Sequence, residues 1–289
     1  MAALRRGRFP LKSARDIEDM RIAGQIVGQT LHVLGESARP GMTTAELDKI
    51  AYDTIIGAGA KPNFLGYGGF SGSVCISVNE EIVHGIPGDR VLQPGDIVSF
   101  DGGAMIRANG KTWHGDAAIT VVLEGGDPEV VKVRKELSRV TEQAMWAGIA
   151  RAATAKRTGD IGQAIERSVL EQEEGLDWTP EILEGYTGHG IGTHLHEDPE
   201  IYNYATRSQG PKIVPGTVIC IEPMLVVGDA TSAVLDDGWT VVAVSGADAA
   251  HWEHTVAIGA NGISVLTASD FGKEGLAPFG ITPVSEFAN

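Results

Sequence analysis

Four acids in this 289-residue sequence border or end apolar runs of β type: Asp101 after Ile97-Val98-Ser99-Phe100, Asp116 before Ala118-Ile119-Thr120-Val121, Glu222 after Val218-Ile219-Cys220-Ile221, and Glu253 before Thr255-Val256-Ala257-Ile258. A carboxylate in a low dielectric must be neutralised, paired or bound to a cation. Basic partners are scarce: Arg90 is the one Lys or Arg between Val83 and Gly103, and none lies between Ile213 and Gly259. Such acids call for cations. Histidines accompany them in His84-Gly85-Ile86 and in Gly188-His189-Gly190-Ile191-Gly192-Thr193-His194-Leu195-His196, where glycines let the backbone bend and place imidazoles in a cleft. Oxygen-rich ligation with one or two imidazoles suits Mn, Fe(II) or Co, and less typically Zn or Mg, and carboxylates bridge two such ions roughly 3.5–4 Å apart. The other histidines, His32, His114, His194, His251 and His254, read as surface or internally satisfied residues.

The elements that must position these groups come as two helices followed by strands, twice over. Helical spacing of Ile17, Met20, Ile22, Ala23, Ile26, Val27, Leu31 and Leu34 after a Ser13/Asp16 capping box predicts a first helix, ended by Pro40-Gly41. A second is capped by Thr44 and stopped by Gly57 and Gly59, and a glycine-rich aromatic loop follows, Asn63 to Phe70. Strands are expected at 74–78, 96–106 and 112–123, the last two forming a hairpin over Asn109-Gly110 whose arithmetic sets Asp101 and Asp116 face to face. Helices are expected from Pro128 to about Arg157 and from Asp160 to Gln172, then strands at 218–227, 239–244, 252–258 and 262–266. Pro94-Gly95 to Asp101 aligns with Pro215-Gly216 to Glu222, His84-Gly85-Ile86 with His189-Gly190-Ile191, and Asp116 with Glu253. That order points to a duplicated α/β half with pseudo-two-fold symmetry, residues 13–127 and 128–270, and to convergence of the acids and two histidines near the axis.

Composition narrows the function classes. A chain with 43% hydrophobic and 21% charged residues is ordinary globular sequence with no stretch of membrane-spanning length, and two cysteines make no disulfide scaffold. Net charge is −15, against nucleic acid as a specific ligand, yet Arg5, Arg6, Arg8, Lys12 and Arg15 give the first 15 residues a local +5 without an acid. No apolar run of signal-peptide type follows, so a cytoplasmic protein is expected, with a basic tail over 1–12, one catalytic domain over 13–270 and a C-terminal tail over 271–289.

Together, His84-Gly-Ile-Pro, Asp101, His114-Gly-Asp116, Gly-His189-Gly-Ile-Gly with His196, Ile221-Glu222-Pro-Met and Glu253-His-Thr resemble the type I methionine aminopeptidases, from about Leu11 to Thr267. The resemblance implies an α+β pita-bread fold with a dinuclear site between two halves, and removal of the initiator methionine from nascent chains whose second residue is small. It implies that Asp101 chelates one metal, that His189 and Glu222 chelate the other, and that Asp116 and Glu253 bridge both. His84 then acts near the scissile amide, His196 hydrogen-bonds the substrate carbonyl, and Glu222 serves as general base and proton shuttle. The matching methionine pocket is Tyr67, Phe70, Cys75, Leu195 and Trp239, with Phe64 adjacent. Gly68 stands where many bacterial members carry histidine, and the hairpin after Asp101 is longer than usual, so its tip is expected to project. Two alternatives share the fold: an Xaa-Pro aminopeptidase or dipeptidase, which generally carries an extra N-terminal domain, and a non-catalytic binding module, which would have lost ligands. An acidic body with a basic start also suggests weak contact between the tail and ribosomal RNA.

Overall fold

The computed structural model describes residues 9–287. Helix α1 (Ala14–Ser37) starts where Ser13 accepts from the Asp16 N–H while the Asp16 carboxylate accepts from the Ser13 N–H. Helix α2 (Thr44–Gly57) is capped one residue earlier than expected: Thr43 and Glu46 form the reciprocal pair, and the Thr44 hydroxyl donates to the Gly88 carbonyl instead. Strands β1 (Lys61–Pro62), β2 (Val74–Val78), β3 (Glu81–Val83), β4 (Ile97–Ala108) and β5 (Lys111–Val122) follow, then helices α3 (Pro128–Ala152) and α4 (Gly159–Glu173). The second set of strands is finer than expected: β6 (Pro180–Ile182), β7 (Gly188–Gly190), β8 (Glu197–Ile201), β9 (Thr217–Ile221), β10 (Met224–Val227), β11 (Ser232–Val234), β12 (Val241–Ala243), β13 (Ala249–His251), β14 (Glu253–Gly259) and β15 (Gly262–Val265). The single run expected over 218–227 breaks at Glu222-Pro223, because proline has no N–H for the ladder. The chain changes sheets there, β9 staying in the large sheet and β10 pairing with β6 and β13.

The large antiparallel sheet has nine strands in the order β1-β4-β5-β14-β9-β7-β8, with β2 beside β4 and β15 beside β14. Helices α1 and α2 bury Leu31, Leu34 and Leu47 with Ile76 and Phe100 of the sheet, and α3 and α4 bury Leu137, Met145 and Ile165 with Ile219, Ile221 and Val256. Each such side chain contributes about 1.5–3 kcal/mol on burial. Both helical layers thus fix the sheet from behind and leave its other face for the acids.

Both expected tails are corrected. Lys12 is buried: its N–H donates to the Gly216 carbonyl at 2.8 Å and its Nζ lies 2.6 Å from Glu197 Oε2, with the two side chains 4% and 6% exposed. Arg15 donates to Asn109 Oδ1, and Arg5, Arg6 and Arg8 lie outside the described residues. At the other end Leu276 of the short helix α5 (Lys273–Leu276) is fully buried, the Val284 N–H donates to the Ile263 carbonyl, and Phe287 packs on Gly259. The hairpin tip does not project freely. Asn109 and Gly110 take the positive φ values of 51° and 77° that a tight hairpin turn needs, and the tip is tied to the start of α1 by Asn109 donating to Asp19 and Lys111 pairing with Asp16. Among the described residues no helix is long and apolar enough to cross a membrane.

Candidate metal centre

Strand pairing alone aligns most of the site. Cys75 pairs with Asp101, Asp101 with Ala118, and Ala118 with Glu253, a row across β2, β4, β5 and β14. His254 pairs with Ile221, so Glu222, one residue past β9, continues that row beside Glu253. Asp101 and Asp116 are not directly opposite. The two-residue turn sets the pairs Asp101 to Ala118 and Gly103 to Asp116, which makes the two carboxylates diagonal neighbours on one face.

His189 reaches the same face from β7, held between β8 and β9. A Cβ at position 188 would strike the Cys220 carbonyl, and one at 190 the Asp198 carbonyl, so glycine on both sides is what lets the strand in. The His189 Nδ1 lies 2.9 Å from the Gly190 carbonyl, which can only accept, so Nδ1 carries the hydrogen. Burial, then the neighbouring His196, hold the His189 pKa to about 3, so the ring is neutral and Nε2 presents a lone pair. That atom is 3.4 Å from Glu222 Oε1 and 3.8 Å from Asp116 Oδ2.

Acceptor atoms therefore crowd together without basic partners. Burial raises the pKa of Asp101 to about 7 and pushes Asp116, Glu222 and Glu253 well above the carboxylate range, and mutual repulsion adds to the last three. One oxygen on each carboxylate is buried without a protein donor, and no Lys or Arg lines the cavity among the described residues. Divalent cations satisfy these atoms and cancel the repulsion, so the residues fit a metal centre.

Ligand atoms of Asp116, His189, Glu253 and Cys220 lie within 4.8 Å of one another. Cys220 escaped the sequence reading, although its place two residues before Glu222 puts it on the same strand face. Burial, then Glu253, Asp116 and Glu222, push its thiol pKa well up, and its Sγ lies 3.6 Å from the Thr255 hydroxyl.

Over the acids lies a cavity of about 130 Å³ walled by Phe64, Tyr67, Phe70, Cys75, His84 and Trp239. Phe70 meets Trp239 edge to face at 5.3 Å. A side chain at Gly68 would come within 3.1 Å of the Trp239 ring, and the loop there has φ +54°, so glycine lets the wall close. Leu195 is buried in one cluster with Phe64, Phe70 and Cys75, against which Trp239 packs. His84 is held at φ +62°, a left-handed conformation uncommon away from glycine, with its ring 6.0 Å from Trp239. His196 shares a 2.9 Å hydrogen bond between Nδ1 and the Tyr67 hydroxyl, and its ring packs 4.4 Å from that of His189.

The other histidines divide. His114 is bonded to Asn63, His254 to Thr267, and the side chain of His194 is 81% exposed. His251 does not fit the expectation of a satisfied residue, since it is buried and, among the described residues, neither ring nitrogen has a hydrogen-bond partner.

Residues 18–260 match metallopeptidase family M24. The chain is 44% identical over 258 residues to a methionine aminopeptidase of Clostridium acetobutylicum, covering 89% of this chain and 98% of that protein. It is 42% identical over 265 residues to methionine aminopeptidase 1 of Mycobacterium tuberculosis, covering 91% and 97%. The crystal structure of methionine aminopeptidase from Thermotoga maritima superposes with a TM-score of 0.82 at 36% identity, covering 91% of this chain and all of that one. The prolidase from Pyrococcus furiosus shares the fold alone, with a TM-score of 0.67 at 21% identity over 90% of this chain and 65% of its own. With a curled antiparallel sheet, two helical layers and acids converging from both sets of strands, the chain belongs to metallopeptidase family M24 and, within it, to the methionine aminopeptidases, metal-dependent exopeptidases of pita-bread fold.

Proposed function

We propose that the chain removes the initiator methionine from nascent proteins with a small second residue, in the cytoplasm, using two divalent ions. The observation that carries this reading is the convergence of Asp101, Asp116, His189, Glu222 and Glu253 beneath a small cavity with aromatic walls. Asp101 would chelate one ion, His189 and Glu222 the other, and Asp116 and Glu253 would bridge them. When bound, such ions supply Lewis acidity toward a carbonyl and bring the pKa of a water near neutrality.

The chain's own groups do the rest. Glu222 takes a proton at its carboxylate and returns it to the departing amine. His196, held through Nδ1 by Tyr67, donates from Nε2 to the carbonyl oxygen as charge builds there. His84 hydrogen-bonds near the scissile amide, while Phe70, Trp239 and Tyr67 hold the thioether side chain and keep water away from it. Co, Mn and Fe(II) suit the donor set best, and Zn or Mg also fit. The test is turnover of Met-Ala-Ser against Ala-Pro peptides by protein reconstituted with each ion in turn. Release of methionine alone supports the reading, and preferential cleavage of the prolyl peptide replaces it with the Xaa-Pro alternative.

Trp239→Ala is expected to lower the kcat/KM preference for methionine over leucine peptides about 10- to 100-fold, since it opens one wall of the cavity. Unchanged ratios would make Trp239 a structural residue only.

The basic segment is narrowed to Arg5, Arg6 and Arg8, because Lys12 and Arg15 are engaged within the body. These three arginines would hold the enzyme loosely to ribosomal RNA through counterion release. Removal of residues 1–8 should then reduce co-sedimentation with ribosomes at low salt and leave tripeptide kinetics unchanged. Equal binding by both forms would return the segment to a solvated terminus.

A further inference from the structure

We propose that His251 is a positioning residue for Glu222: its Nε2–H donates to Glu222 Oε2 and so turns Oε1 toward the candidate metal ligands. The inference rests on the reading of Glu222 as ligand and base. Register brings the two together, because β13 pairs with β10 through His251 and Met224, two residues after Glu222. The backbone of His251 is clamped from β4 and β5: its N–H donates to Thr120 Oγ1 at 3.0 Å and Ser99 Oγ at 3.2 Å, and its carbonyl accepts from Thr120 at 2.7 Å. Glu222 is tied on its other side by Asn203, whose Nδ2 donates to the Glu222 carbonyl. Between these anchors the ring has little freedom.

The two Glu222 oxygens face different neighbours. Oε1 lies 3.4 Å from His189 Nε2, and Oε2 lies 4.0 Å from His251 Nε2. The second distance exceeds a hydrogen bond, and contacts of this kind in empty catalytic sites tighten when the site is filled. A buried imidazole with neither nitrogen paired is costly, and a carboxylate, which only accepts, is the complementary partner at hand. Carboxylates that bind metals are held in this way by outer donors, whose loss weakens metal affinity about 10- to 100-fold.

The test is competition for Mn²⁺ between the loaded full-length protein and a chelator, which needs no peptide substrate. His251→Leu is expected to lose about 10- to 100-fold in affinity, and His251→Gln, whose amide keeps an N–H donor, to stay within about threefold of the parent. Leu and Gln variants that both bind like the parent would overturn the proposal. Glu222→Gln in the same titration separates the two readings: unchanged affinity there removes Glu222 as a ligand and His251 with it. Lost methionyl cleavage with the His251 effect intact would sink only the substrate assignment. Nitrogen-15 spectra of the Zn²⁺-loaded parent supply a check that needs no variant, since a hydrogen on Nδ1 of His251 rather than Nε2 would also overturn it.

Discussion

Glu253→Gln and Asp116→Asn should each lower kcat on a methionyl tripeptide by at least about 10³-fold, roughly 4 kcal/mol of transition-state stabilisation. Each change removes a charge from the carboxylate cluster, at a residue expected to serve both ions. The stability effect has the opposite sign. In metal-free protein these acids repel one another and resist burial, which is why their pKa values are pushed well up. Neutralising one relieves that repulsion, so the metal-free variants should melt at or above the parent temperature. The rise in melting temperature that Mn²⁺ gives the parent should largely vanish, since stabilisation by a ligand follows its affinity for the folded state. Near-normal turnover with a normal metal-induced rise in either variant would make the bridging assignment wrong.

Lys12→Met carries the second large effect. The variant keeps the apolar stem of the side chain and leaves the Glu197 carboxylate buried without its cation. Breaking a buried pair from one side costs about 3–5 kcal/mol, which for a chain of this length is a fall in melting temperature of roughly 5–8 °C. Burial pushes the Glu197 pKa up, but the hydrogen bond and charge of Lys12, with hydrogen bonds from the His194 N–H and the Thr193 hydroxyl, outweigh it and leave the carboxyl below its usual value. A carboxylate with a depressed pKa contributes stability that is full above its unfolded value and lost as pH falls through the folded one. The deficit of the variant should therefore be complete at neutral pH and shrink below about pH 4. Because Glu197 follows His196, kcat should fall as well, by about tenfold, and Lys12→Met with Glu197→Gln should recover most of the stability. Equal melting temperatures for parent and Lys12→Met at neutral pH would show that the pair holds nothing.

The acids were readable because each sits at a fixed place relative to a β run, and runs are local. Their convergence was readable from repetition, since matching Pro-Gly turns put matching acids at matching strand ends. Register was less accessible: a midpoint at the turn is compatible with Asp101 opposite Asp116 or displaced by one pair, and only the observed turn decides. Lys12 read as a charged residue in a basic segment because its partner, Glu197, is far along the chain and nothing local announces a buried pair. His251 was missed for a similar reason. One buried histidine looks like any other in sequence, and its relation to Glu222 arises from the pairing of β13 with β10.

The pairing of β5 with β14 is short, only Glu253 to Ala118 and His254 to Ala117, and it is where the large sheet passes from strands that precede α3 to strands that follow it. A seam of two residue pairs therefore coincides with the place where like charges gather. In folding order such a contact closes late, because it joins segments far apart in the chain. Divalent metal held there would act as a rivet as well as a reagent, because Asp101 and Asp116 come from one portion and Glu222 and Glu253 from the other. Metal uptake would thus report that the two portions have met in register, since the acids of this row come from both.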